Sequence, residues 1–390
     1  MRRLLTSLTI AAAAATLVPI GQVGATPVAA TPGLRAAEWE QVTASAPWTP
    51  RAGLQAVEVG KRFLVLGGRS PLAIPGVPGA STLSNEVWAS TDQGATWSKT
   101  ADAPWPARAY FQAVADRGKV FVIGGQNFKV GADCTNGAPV CSDFFSDVWA
   151  SGDAGRTWTQ QTAAAGWVGR AGLSAVALGK SLYVLAGSTN DDSSIVGGPP
   201  ARKYFNDVWR SDDGGKTWEQ VTAAAPWEPR AGAAVLTRGP WMYLFGGEEG
   251  FTCDDPAKPC PPYFNDVWRS RDGATWEKLT AAAPWAPRPG HKCELLEGRF
   301  VCFGGFGLPP AGNPVDMWVS ADGAKWQQLP QAPWDAAAQD AVKYDFAALS
   351  STRGPGGPAI YTFGGDRETF DFTDPANPSR VDHDVWRFGT

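Results

Sequence analysis

The sequence predicts an all-β protein built from a repeated four-strand unit, and three observations carry that prediction. A stretch from Tyr204 to Thr222, YFNDVWRSDDGGKTWEQVT, returns as NEVWASTDQGATWSKT from Asn85, SDVWASGDAGRTWTQQT from Ser146, NDVWRSRDGATWEKLT from Asn265 and VDMWVSADGAKWQQLP from Val315; a truncated copy, HDVWRF, begins at His383. Gly 45 and Pro 32 among 390 residues punctuate many short apolar runs. No long helix-forming stretch follows residue 40. Self-similarity at a fixed period marks a repeat architecture, and short strands between turn residues mark an all-β one.

The chain opens differently. Arg2 and Arg3 precede an Ala-rich apolar run from Leu4 to Ile20, with small residues suited to cleavage at Val23-Gly24-Ala25 and Ala29-Ala30. Residues 1–30 are expected to be a secretory signal peptide and 31–37 a flexible leader. No second apolar span follows, so a soluble protein, secreted or held in the cell envelope, is expected. The formal charge of −4 falls to −6 once Arg2 and Arg3 are removed. That balance offers no electrostatic footprint for nucleic acid or an anionic membrane. Six cysteines fit export, and their spacing suggests three local disulfides: Cys134–Cys141, Cys253–Cys260 and Cys293–Cys302. In CELLEGRFVC the turn falls at Glu297-Gly298, which sets Cys293 opposite Cys302. There is no CxxC and little histidine, so zinc is the weaker alternative.

Four β-signals then recur in fixed order. The first is RAGLQAVEV from Arg51, answered by RAYFQAVAD, RAGLSAVAL, RAGAAVLTR and RPGHKCELL. The second is an apolar run closing on glycine: FLVLGG, VFVIGG, LYVLAG, MYLFGG, FVCFGG and IYTFGG. Strands apolar on both faces belong in a buried layer. The third is the VWxS strand and the fourth the TWxxxT strand, marked by Trp39, Trp97, Trp158, Trp218, Trp276 and Trp326.

This order resembles the kelch repeat, and the S-x-D-x-G-x-T-W turn, as at Ser211 to Trp218, resembles the Asp-box of sialidases. The resemblance covers roughly residues 38–390 and implies a β-propeller, an architecture also found in the central domain of galactose oxidase. The sixth copy departs from it: PxPR is missing and DAAAQDAVKYDF stands in its place. The chain starts on a fourth-type strand at Trp39 and ends on a third-type strand at Trp386. Six four-stranded antiparallel blades, the last completed by the N-terminal strand, would leave no open edge. Eighteen of nineteen tryptophans recur once per blade, which favours packing; Trp241 stands alone.

Candidate functional residues divide by whether they repeat. Arg51, Arg108, Arg170, Arg230 and Arg288 begin first strands near a propeller's channel mouth. Glu86, Asp147, Asp207, Asp266 and Asp316 could pair with them and weld the blades, and a cationic ring for an anionic ligand is the other reading. Recurrence favours pairing. Asp-box residues such as Asp213 are expected to hold their own turns.

Positions that differ between blades are better binding candidates: Arg69, Gln126, Glu248, Phe306 and Asp366 just after the glycines, with Tyr204 and Tyr263 at loop ends. The function expected is a monomeric, noncatalytic propeller recognising a protein or glycan through the second-to-third and fourth-to-first strand loops.

The alternative is a sialidase-like or other carbohydrate-active enzyme using the same face. A copper-radical site would need histidine ligands and a free Cys, whereas only His291 and His383 are present. His291 shares the slot of Leu54, Phe111 and Leu173, so it reads as a packed core residue. No GxSxG supports a hydrolase triad. No cofactor is expected; calcium would be the exception, through Asp191-Asp192, Asp254-Asp255 or Asp371 to Asp374.

Overall fold

The computed structural model describes Leu34 and residues 37–72, 80–130, 134, 140–189, 202–250, 262–307, 313–329, 343–354, 356–368 and 380–389. The signal-peptide reading of residues 1–30, the Cys253–Cys260 pair and the candidate calcium loops lie outside these residues.

The protein is a six-bladed propeller of four-stranded antiparallel sheets. Blade 1 runs Gln55–Val59, Arg62–Leu66, Glu86–Ser90 and Ser98–Asp102 from the axis outward. Blade 6 has three C-terminal strands, Ala347–Gly354, Gly357–Asp366 and Val381–Gly389, and takes its outer strand, Glu38–Thr43, from the chain's beginning. That strand pairs antiparallel with the last one, setting Trp39 opposite Phe388 and Gln41 opposite Trp386. Within the stretch expected to be a flexible leader, Leu34 and Ala37 are buried, packed with Phe303, Ile360 and Phe388 at the seam of blades 5 and 6. Apolar side chains that cover such a seam are held in place by burial rather than by strand pairing.

The core lies between blades. Val57, Leu64 and Val87 of blade 1, for instance, pack on Phe111, Val120 and Val122 of blade 2. Alternate side chains of a strand point to opposite faces, so the apolar runs of the second strands serve both neighbouring seams. Tryptophans at the corners lock the same seams. Trp48, Trp105, Trp167, Trp227 and Trp285 are each at most 3% exposed. Each meets a fourth-strand tryptophan edge-on, as in Trp167–Trp218 at 4.5 Å and 87° and Trp285–Trp326 at 4.7 Å and 90°. Edge-to-face geometry suits the ring quadrupoles.

Every letter of the N-D-V-W motif has a physical task. The Asn265 amide donates to the carbonyls of Ala283 and Trp285, each 2.8 Å away, closing the corner. Asp266 accepts the indole N–H of Trp268 at 2.7 Å, and Val267 is fully buried. The following turn is closed from within. Ser211 Oγ donates to Asp213 Oδ1 and accepts Gly215 N–H, while Asp213 accepts the N–H and hydroxyl of Thr217 at 3.0 and 2.6 Å. Burial works against the charge on Asp213, but the Thr217 and Ser211 bonds outweigh it and hold its pKa down at about 2.

Two disulfides are present among the described residues. Cys293 and Cys302 face each other across the first hairpin of blade 5 with Cα atoms 4.1 Å apart, and Cys134 is bonded to Cys141. Closing loops this short contributes roughly 2–3 kcal/mol in the chain-entropy account.

Candidate functional site

The arginines at the channel mouth are consumed by their own blades. Arg108 holds Asp147 through two parallel bonds of 2.6 and 2.9 Å, and Arg170, Arg230 and Arg288 hold Asp207, Asp266 and Asp316 in the same way. Arg51 meets Glu86 through a single bond of 2.7 Å. These pairs tie the first strand of a blade to the third strand of that same blade, so the ties run within blades and not between them. Blade-to-blade ties come from the backbone: Gly68, Gly125 and Gly187 donate to the carbonyls of Arg108, Arg170 and Arg230 in the next blade.

Aromatic residues just before the N-D-V-W motif cover the guanidinium faces, with Phe145, Phe205 and Phe264 centred 3.7–4.1 Å from Arg108, Arg170 and Arg230. Phe205 is therefore scaffold. In blade 6, Lys343 stands in the arginine's slot and bonds Asp384 at 2.6 Å, which explains how this copy folds without PxPR.

Two residues beyond each of these cations, the chain turns around the axis. Gly53, Tyr110, Gly172, Gly232, Gly290 and Asp345 occupy this position, all left-handed with φ between 50° and 70°. Their backbones encircle the axis, with hydrogen bonds at five of the six junctions. Tyr110 N–H donates to Gly53, Gly172 to Tyr110, Gly232 to Gly172, Gly290 to Gly232 and Gly53 to Asp345, over 2.8–3.2 Å. Glycine adopts this conformation freely, whereas a side chain there costs on the order of 1 kcal/mol. Two blades nevertheless carry one.

Above this ring lies a small cup of about 80 Å³. That is below the roughly 300 Å³ at which small-ligand sites usually begin, so a larger ligand would enter it with one group and rest on the surrounding loop face. Tyr110, Phe306 and Tyr344 supply aromatic wall; Gln126, Glu248 and Asp345 supply polar groups. Gln126 and Glu248 arrive there through antiparallel bridges to Ala109 and Ala231, and Phe306 through its N–H bond to Pro289; the equivalent bridge in blade 6 joins Tyr344 to the fully buried Asp366. The Glu248 carboxylate lies over the ring: a Cβ on Gly232 would come within 2.5 Å of its Oε2. Glu248 is only 3% exposed.

Arg69 organises the wall between blades 6 and 2. Its guanidinium bonds the Tyr110 hydroxyl at 2.7 Å, Glu368 at 2.8 Å and the fully buried Asp366. Asp366 in turn accepts Glu368 N–H at 2.6 Å. Burial drives the Asp366 carboxyl up against the pull of Arg69, and the neighbouring Glu368 carboxylate adds to the rise. Burial likewise pushes the Tyr344 phenol well above its ordinary value, reinforced by Asp366.

Of the residues singled out in the sequence, Gln126, Glu248 and Phe306 line the cup, whereas Arg69 and the fully buried Asp366 pair with each other beside it. Tyr263 is buried behind Phe306, with ring centres 6.4 Å apart, and Tyr204 lies on a short ribbon opposite Ser188. Tyr110, Tyr344, Asp345 and Glu368 were not foreseen. The first three were visible as exceptions, since RAYF and VKYDF break the R-A-G pattern at the ring position or the one before it. Among the described residues no group of three or more His, Cys, Asp or Glu could hold a metal ion.

No family model matches the chain. Among solved structures it is similar to one entitled "Structure of YjhT", a kelch-repeat protein, with a TM-score of 0.62 and 16% identity. The match covers 90% of this chain and 100% of that one. At that identity the likeness shows the fold alone.

Proposed function

We propose that this propeller is a secreted, monomeric, noncatalytic binding module that takes a glycan at the axial cup and its surrounding loop face. One observation carries the reading: Gln126, Glu248 and Phe306, which follow the glycines and differ between blades, meet Tyr110 and Tyr344 in one cup as a mixture of aromatic wall and hydrogen-bonding groups. Sugars present apolar CH faces and hydroxyls together, and such mixed surfaces recognise both.

The carbohydrate-active enzyme remains the second reading, favoured by the raised Asp366 carboxyl beside Glu368. Against it, Arg69 is committed to both carboxylates, and the Tyr344 phenol is pushed away from the anionic form a nucleophile needs.

Calorimetric titration of the mature protein with an oligosaccharide panel tests the proposal. Saturable binding is expected, weakened about tenfold or more in Tyr110→Gly, which installs the residue that most blades carry at that ring position and so is expected to keep the thermal transition. Saturable binding to proteins but to no glycan would overturn it. So would turnover of aryl-glycosides that is lost in Glu248→Gln.

A further inference from the structure

A larger cavity lies at the other end of the strands, on the face of the Asp-box turns. The second strand of blade 1 runs from Arg62 at this cavity to Leu66, toward the face that carries the cup. The cavity is a groove of about 520 Å³ between the outer strand of blade 1 and the Asp-box turn of blade 2. That volume is within the usual span of small-ligand sites. Its cations are Arg62, Lys99 and Arg156, and no carboxylate among the described residues lines it.

Two of these cations are unneutralised. Lys99 is paired with Glu86 at 3.0 Å and Asp102 at 2.7 Å. The guanidinium groups of Arg62 and Arg156 make no ion pair or hydrogen bond among the described residues. Arg156 uses only its backbone N–H, toward Asp153 at 3.1 Å. The box carboxylates Asp92 and Asp153 are engaged within their own turns, by Thr96 and Thr157. The whole chain carries a net charge of −4, so an anion would be drawn here by a local concentration of positive charge and not by the overall field.

The neighbouring seam repeats the pattern. A Cβ on Gly155 of the blade 2 box would meet Val87 of blade 1 at 2.8 Å, and one on Gly215 of the blade 3 box would meet Val148 of blade 2 at 2.8 Å. At this second seam the positions of Arg62 and Arg156 are filled by Lys119 and Lys216. At the third they are Ser181 and Ala274, where the run of cations ends.

Two guanidinium groups bordering one groove repel each other until an oxyanion lies between them, and their planar forks match its geometry. Thr91, Ser98 and Thr100 add hydroxyls and Trp97 an indole flank, groups that suit sugar hydroxyls and CH faces. We infer that this groove is a second binding site, for a glycan chain bearing sulfate or carboxylate groups. It stands apart from the cup and does not rest on the glycan reading there.

The test is calorimetric titration of the mature protein, at physiological ionic strength, with a sulfated dextran oligosaccharide, an oligogalacturonate and neutral dextran. Saturable binding is expected for one or both charged chains, which identifies the anion, and none for neutral dextran. Arg62→Gln and Arg156→Gln are each expected to weaken it about tenfold, the scale of a lost charge-assisted bond. Their thermal transitions should not move, because neither guanidinium holds another group of the protein. Arg299→Gln makes the same charge change at the equivalent strand position of blade 5 and is expected to leave binding unaltered. An equal loss in Arg299→Gln would reduce the effect to general charge and overturn the inference. So would undiminished binding in both groove variants, equal binding of neutral dextran, or binding of neither charged chain.

Discussion

At the scale of single residues, six copies of one blade provide five internal comparisons for each departure. His291 occupies the slot filled by Leu54, Phe111, Leu173, Ala233 and Phe346, and is 2% exposed. Its Nδ1 lies 3.1 Å from the Arg288 carbonyl. Burial, with the charges of Arg288 and Lys292 beside it, lowers its pKa from 6.5 to about 3, so the folded protein holds it neutral. The unfolded chain takes up that proton first. Stability contributed by the neutral ring is thus present above pH 6.5 and is lost as pH falls toward 3, by an amount on the order of 5 kcal/mol. Glu294 acts in the opposite sense, because burial raises its carboxyl to about 7 and the folded state protonates before the unfolded one. The quantity to measure is therefore the difference between the wild type and His291→Leu, which leaves Glu294 in place. Denaturant titrations at several pH values should show the variant gaining on the wild type steadily below pH 6.5. A pH-independent difference would mean that His291 is not held neutral.

At the scale of the repeating element, sequence and structure agree where a side chain acts inside its own blade. The Asn, Asp, Val and Trp of the third strand, the Asp-box and the Cys293–Cys302 hairpin are local devices whose partners lie nearby in the chain or recur at a fixed offset. The candidate site was only partly legible for the opposite reason. Tyr110 and Asp345 are 235 positions apart and meet only when the ring closes; nothing local marks them except their intrusion into a glycine slot. Phe205 ends a loop private to its blade, yet its ring serves the common arginine. The corner tryptophans illustrate what the repeat does select. Trp105 is 1% exposed and packs against Trp158 and Phe111, yet its indole N–H has no hydrogen-bond partner among the described residues. Its contribution is then volume and ring contact, not the N–H. Trp105→Ala is expected to cost about 3–5 kcal/mol and Trp105→Phe about 1–2 kcal/mol in chemical denaturation. Equal losses in the two variants would reveal a polar role for the indole.

At the scale of the whole molecule, stability depends on closing a circle whose ends are far apart in the chain. The strand types at the two termini, fourth at Trp39 and third at Trp386, made this closure readable before any contact was known. In the structure Glu38–Thr43 satisfies the outer edge of Val381–Gly389. Trp39 meets Phe388 at 5.0 Å and Phe303 of blade 5 at 5.7 Å, and its indole donates to Met317 Sδ at 3.2 Å. One strand thus completes blade 6 and pins it to blade 5. Deleting residues 38–43 would leave the hydrogen-bonding edge of a long, apolar strand open to a second chain. It would also strip the seam that Leu34 and Ala37 help to cover. Each first strand packs between two neighbours, so a loosened blade 6 would weaken the seam with blade 1 as well. The truncated protein should therefore elute as oligomer or aggregate in size-exclusion chromatography and lose its cooperative thermal transition. A monomeric truncation melting at the wild-type temperature would show that five sealed seams hold the ring and that the terminal strand is dispensable.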